Sequence, residues 1–262
     1  MEQPSSPGTD PVELRNSMEE LLKFTLQSHL NSTLELDIGL SKPFCTSLLN
    51  HTSPISPNAT EASQIHLYKQ LARALYEIIT FGSSECDKVA SFFQGSDLKH
   101  KEEWVDLAHK EGSQLTEILK NINFELHVQE PFFTQLKDGI KTIEGRCAVG
   151  DYNRIASGAF ILFNKCLVLE VQAVHHYASF FEMLEAETLA KVLPGVKTIH
   201  EGVQVYRKFY TEEKEMANGV VAIGVTKVAA QPYLSLARLL SGLKYDGILS
   251  LINQEHLDGS MS

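Results

Sequence analysis

The stretch Glu130–Arg146, EPFFTQLKDGIKTIEGR, decides how the second half of the chain is read. It reads as a short helix, a glycine turn and a strand. Pro131 suits a first helical position, where its missing N–H costs nothing. Phe132, Phe133 and Leu136 then fall on one helical face. Gly139 sits where a helix commonly ends in a left-handed residue. From Ile140 the pattern alternates, which predicts a strand with Lys141 and Ile143 on one face and Thr142, Glu144 and Arg146 on the other. An Arg two residues after a Glu either pairs with it at the surface, which is worth little, or presents its guanidinium to a ligand.

Working outward, Phe124–Val128 reads as a strand before this stretch. After it, Gly150-Asp151 and Gly158 mark turns. Phe160–Phe163 and Leu167–Val174 predict a hairpin, and Val220–Val228 a final β-branched strand. Between them, Ser179 with Glu182 and Thr198 with Glu201 have capping-box spacing and predict helices, the second running through Tyr210. Thr211 opens a short acidic helical turn that ends at Asn218-Gly219.

Gly139, Lys141, Glu144 and Arg146 have the spacing G-x-K-x-x-E-x-R. This resembles the signature of the ASCH domain, the activating signal cointegrator homology family. Gly158 before an apolar strand, the aromatic-basic segment Tyr206–Tyr210 and the closing NGVVAIGV extend the resemblance over about Phe124 to Val228. It implies a PUA-like β-barrel with helical insertions and a cleft lined by Lys141, Glu144 and Arg146 that takes RNA or a modified nucleotide. Lys141 offers a point charge and Arg146 a planar fork suited to phosphate or a base edge. Single-stranded RNA also calls for aromatic faces. Tyr177 and Tyr206 are candidates, with Tyr210 and the adjacent Lys208; helix packing is the competing reading of the two tyrosines one turn apart.

The resemblance carries two further readings. One branch of the family is similar to N4-acetylcytidine amidohydrolases, in which a lysine activates a threonine three positions later. Lys141 matches that lysine, but the nucleophile position holds Glu144, and Thr142 follows Lys141 directly. A nuclease is the other enzymatic option, with Glu144, His175 and His176 as candidate groups. The coactivator name also admits a module that binds only proteins, in transcription-linked complexes.

The chain has 262 residues, 43% hydrophobic and 21% charged, ordinary for a folded protein of one large or two small domains. The predicted architecture is α+β: residues 1–9 disordered, 10–123 an all-α module, 124–228 the ASCH barrel, and 229–262 a C-terminal helical segment. Asp10 and Pro11 are expected to open the first helix, with Leu14, Met18, Leu21, Leu22 and Leu26 inward. Residues 51–60 read as a loop. Thr60 opens a helix ending at Gly82, Ser84 one ending at Gly95, and Ser96 one reaching Lys120. In 232–252, two leucine-rich helices are expected to pack onto the barrel.

Residues 1–123 carry a net −7 and 124–228 a net −2. Any nucleic-acid contact must therefore use a local patch, not a global field. The acidity of the helical module disfavours direct phosphate contact, and the module is expected either to dock a protein partner or to mask the second domain. Cys45, Cys86, Cys147 and Cys166 are widely spaced, which predicts reduced thiols in a cytoplasmic or nuclear protein. No metal-ligand spacing, cofactor motif or membrane span is read from the sequence.

Overall fold

The computed structural model describes Gly8 and residues 12–54, 64–81 and 98–258. The fold is α+β, as the sequence predicts. Its described residues form two compact units: one from Asn121 to Ala230 with Gly8, the other from Val12 to Lys120 and from Gln231 onward. The helix predicted from Ser84 to Gly95, the caps at Asp10, Thr60 and Gly82, Cys86 and the N-terminal tail other than Gly8 lie outside the described residues.

The helical unit contains α1 (Leu14–Leu30), α2 (Lys42–Asn50), α3 (Leu67–Phe81), α4 (Leu98–Lys120) and α10 (Pro232–Asp258). Their leucine stripes make its core: Leu21, Leu22, Leu26, Leu71, Leu115, Leu236 and Leu240 are all buried. A small hairpin, β1 (Thr52–Pro54) with β2 (Gln64–His66), precedes α3, so Ile65 is in a strand and not in the predicted helix. Gly112 does not interrupt α4; its missing side chain lets Ile79 of α3 approach. The predicted pair of C-terminal helices is present within α10: the two meet at Lys244, where the backbone leaves helical geometry at φ 56°. The sequence expected this segment on the barrel. Instead α10 packs against α4, α1 and α3, and Arg238 reaches the buried Glu111 at 3.2 Å.

The mixed unit contains, in order, β3 (Phe124–Leu126), α5 (Phe132–Lys137), β4 (Ile143–Cys147), a 3-10 turn (Gly150–Arg154), β5 (Phe160–Phe163), β6 (Leu167–Tyr177), α6 (Phe180–Glu187), α7 (Leu189–Val192), α8 (Ile199–Arg207), α9 (Glu212–Asn218) and β7 (Val220–Lys227). The strands form one half-barrel sheet in the order β3-β5-β6-β7-β4, with β3 parallel to β5 and the other pairs antiparallel. The predicted caps are present. Ser179 accepts from the Glu182 N–H at 3.1 Å, and Thr198 and Glu201 make a reciprocal capping box, each cap worth about 1 kcal/mol.

The central stretch needs one correction. The strand starts at Ile143, not Ile140, because the N–H groups of Ile140 and Lys141 both donate to Gln135 O, at 2.9 and 3.0 Å. These residues finish the turn after α5, with Gly139 at φ 72°. The Thr142 N–H is spent on Lys191 O at 3.1 Å. Alternation therefore begins later: Ile143, Gly145 and Cys147 share one face, and Glu144 and Arg146 the other. Lys141 precedes the strand.

Candidate nucleic-acid interface

All four signature residues are described, and the three charged ones meet. Lys141 Nζ lies 3.1 Å from Glu144 Oε2, and Arg146 Nε lies 2.8 Å from Glu144 Oε1. All three are buried, with Lys141 only 2% exposed. Lys141 also donates to Ile143 O at 2.6 Å and to Val192 O at 2.5 Å, so its three ammonium protons each have an acceptor. Val192 closes α7, whose last carbonyls are the negative end of the helix. Arg146 Nη2 donates to His127 O at 2.7 Å, and its guanidinium stands 6.0 Å from the Tyr152 ring centroid.

That arginine bond has a topological meaning. His127 follows β3, and β3 and β4 are the two edges of the sheet. Arg146 therefore bridges one edge to the other, while Lys141 anchors α7 beside β4. Burial lowers the Lys141 pKa against the pull of Glu144 beside it. Burial raises and the two cations lower the Glu144 carboxyl, which ends below its ordinary value. Arg146 is raised: burial opposes its charge, and Glu144 outweighs the burial. The arrangement is a closed ion network, not the open cleft lined by charges that the resemblance implies.

The aromatic candidates separate. Tyr206 is buried and stacks on Phe180, centroids 4.1 Å apart and planes 7° apart; Tyr210 stacks on the same ring at 5.5 Å. Their faces are occupied by packing, as the competing reading had it, and burial pushes the Tyr210 hydroxyl up to about 12. Tyr177 is half-buried and donates to Glu187 Oε1 at 2.8 Å. Burial, then Glu187, pushes its pKa up to about 12. His175 Nδ1 lies 2.5 Å from the same carboxylate oxygen. Lys208 caps α8 and is exposed. Gly158 turns at φ 84° with nothing near a Cβ position.

Register places these groups. Across β4, β7 and β6 the rows run Gly145, Ala222, His175 and Arg146, Val221, His176. His175 and His176 are exposed on opposite faces of β6. β6 also outruns β5, whose pairing stops at Glu170. Val171 and Gln172 still bond the Gly158 loop, but Ala173 to Tyr177 pair only with β7. Sequence reading missed His127 and Val192, whose main-chain carbonyls leave no side-chain signal, and also Tyr152 and Glu187. Among the described residues no group of three or more His, Cys, Asp or Glu is placed to hold a metal ion. No described helix is long and apolar enough to cross a membrane.

The ASCH domain family model matches residues 126–229. The crystal structure of hypothetical protein PH0355 is 45% identical over 40% of this chain and 97% of that one, with a TM-score of 0.39. The solution NMR structure of protein PF0455 from Pyrococcus furiosus is 47% identical over 40% of this chain and 96% of that one, with a TM-score of 0.37. No curated protein matches the chain. With the signature complete inside the matched stretch, residues 126–229 of the chain belong to the ASCH domain family.

Proposed function

We propose that the ASCH unit binds single-stranded RNA, or a modified nucleoside within it, along the open edge of β6. Family membership sets the expectation, since the ASCH domain is generally proposed to be an RNA-binding module. The observation that carries the location is the five-residue overhang Ala173–Tyr177, paired with β7 but not with β5, with two exposed imidazoles and a half-buried tyrosine. Single strands are read through such main-chain and aromatic contacts, and phosphates through nearby cations. Lys191 is exposed and acts on the Glu187 carboxylate that holds His175 and Tyr177. Lys208 supplies a second exposed cation. In this reading Lys141, Glu144 and Arg146 position the surface: Lys141 holds α7, which carries Lys191, and Arg146 closes the sheet.

Lys141 has no free donor and is buried, which argues against its serving as the base of a hydrolase. The test is fluorescence anisotropy of short single-stranded RNAs at about 50 and 200 mM salt, with the same samples assayed for deacetylated or cleaved product. Wild type binds and weakens with salt. Lys191→Glu weakens binding by about tenfold and reduces the salt slope by about one. His176→Ala weakens it at both salts. Full affinity in both variants would remove the β6 edge from the reading.

A further inference from the structure

We infer that a cavity beside this edge receives one nucleotide of the bound strand, with a preference for a base that carries both a carbonyl oxygen and an amine. The inference builds on the RNA reading. The cavity has a volume of about 430 Å³ and is lined by Asn123, Phe124, Arg154, Ser157 and Gly158, among others. That is within the range of small-ligand sites, roughly 300–1,000 Å³. Its place is set by Ser157, whose hydroxyl donates to Gln172 O at 2.9 Å. Gln172 immediately precedes the overhang, so the cavity adjoins the start of the free edge.

The lining has complementary polar functions. Arg154 has a largely exposed side chain and meets Asp151 through Nη1 at 3.0 Å. Such exposed pairs hold weakly, and the rest of the planar fork suits a phosphate. Asn123 has spent Oδ1 on the Phe160 N–H at 2.8 Å, so its amide N–H groups are what it offers, a donor for a base carbonyl. Ser157 has spent its proton on Gln172, so its oxygen is left as an acceptor for an exocyclic amine. Buried Phe124 contributes an apolar wall. Gly158 leaves bare backbone where any side chain would project, because nothing lies within 4 Å of its Cβ position. Cytosine and guanine carry both functions; uracil lacks the amine and adenine the carbonyl. The signature supports this site too: Arg146 lies against Tyr152, in the same 3-10 turn that presents Arg154.

The experiment is calorimetric titration of the full chain with CMP, GMP, UMP and AMP, beside the RNA assay, for wild type, Arg154→Ala and Ala156→Trp. Ala156 is an exposed lining residue, and its replacement by Trp fills the opening. Unchanged melting temperatures verify that the variants fold. CMP and GMP are expected to bind about tenfold tighter than UMP and AMP. Arg154→Ala should weaken them by about the same factor, and Ala156→Trp should abolish binding. RNA affinity that survives Ala156→Trp unchanged overturns the cavity and leaves the RNA reading standing. CMP and GMP binding lost in Ala156→Trp, with no RNA binding by wild type, supports the cavity and overturns the strand. No mononucleotide binding by wild type overturns the inference outright.

Discussion

Glu144→Gln lowers the melting temperature of the ASCH unit by on the order of 15 °C. The change is nearly isosteric, so the loss is electrostatic. Lys141 and Arg146 keep their buried positions, and the anion between them is gone. Breaking a buried ion pair by removing one partner costs about 3–5 kcal/mol, because the remaining charge is left uncompensated in the interior. Lys141→Met is expected to cost less. It removes one of the two cations and leaves Glu144 and Arg146 as a neutral pair, though Ile143 O and Val192 O each then lose the ammonium donor. Scanning calorimetry of both variants at pH 7 decides the point, and a Gln variant melting within about 2 °C of wild type would refute the closed network.

Acid gives the same prediction a second signature. The folded Glu144 pKa lies below its ordinary value, burial opposing and the two cations prevailing. Its ionisation therefore contributes stability that is complete above the unfolded value, about 4.3, and is lost as pH falls through the folded value. Lys141 runs the other way in origin: burial lowers its folded pKa below the unfolded one, about 10.4. The unfolded chain then binds that proton more tightly, so stability rises with pH between the two values. In melting series from pH 7 to pH 3, the acid loss should be shallower in Glu144→Gln than in wild type, since the titrating carboxylate is gone.

Periodicity and caps made most of the ASCH unit legible. Ser179, Thr198 and Thr211 cap helices through local side-chain bonds, which depend on spacing alone. The β5–β6 hairpin follows from two apolar runs and a short turn. What failed was long-range. Ile140 and Lys141 alternate like strand residues, yet their N–H groups cap α5 because Gln135 O is the nearer acceptor. The signature looked like a surface charge pair or a ligand cleft because spacing says nothing of what covers a face. Burial of Lys141 depends on Val192, fifty-one residues on, and that of Arg146 on the His127 carbonyl. The placement of α10 was equally illegible, since a leucine stripe states that it is covered and not by what.

Gly145→Ala is the second large loss, about 3 kcal/mol, and the reason is steric. In a strand this exchange would ordinarily be neutral or stabilising by about 0.4–1 kcal/mol, through the reduced entropy of the unfolded chain. Here a Cβ would stand 2.4 Å from Tyr206 Oη and 2.7 Å from Met183 Cε. Met183 ends in a flexible thioether that can turn away. Tyr206 is less free, stacked face to face on buried Phe180 at 4.1 Å and held in α8. Tyr206→Phe removes the clashing oxygen and keeps the ring. The double variant Gly145→Ala/Tyr206→Phe should therefore recover about 1–2 kcal/mol relative to the sum of the single changes in urea unfolding. Additive losses would mean that the neighbours relax elsewhere and that the glycine is not needed for the approach of α8. The residue between the two charges of E-x-R is therefore not a neutral spacer in this chain. One face of β4 holds the ion network that closes the sheet, and the other must be flat enough for Tyr206 and Met183 to cover it. Only an absent side chain at Gly145 lets both faces of an edge strand be buried at once.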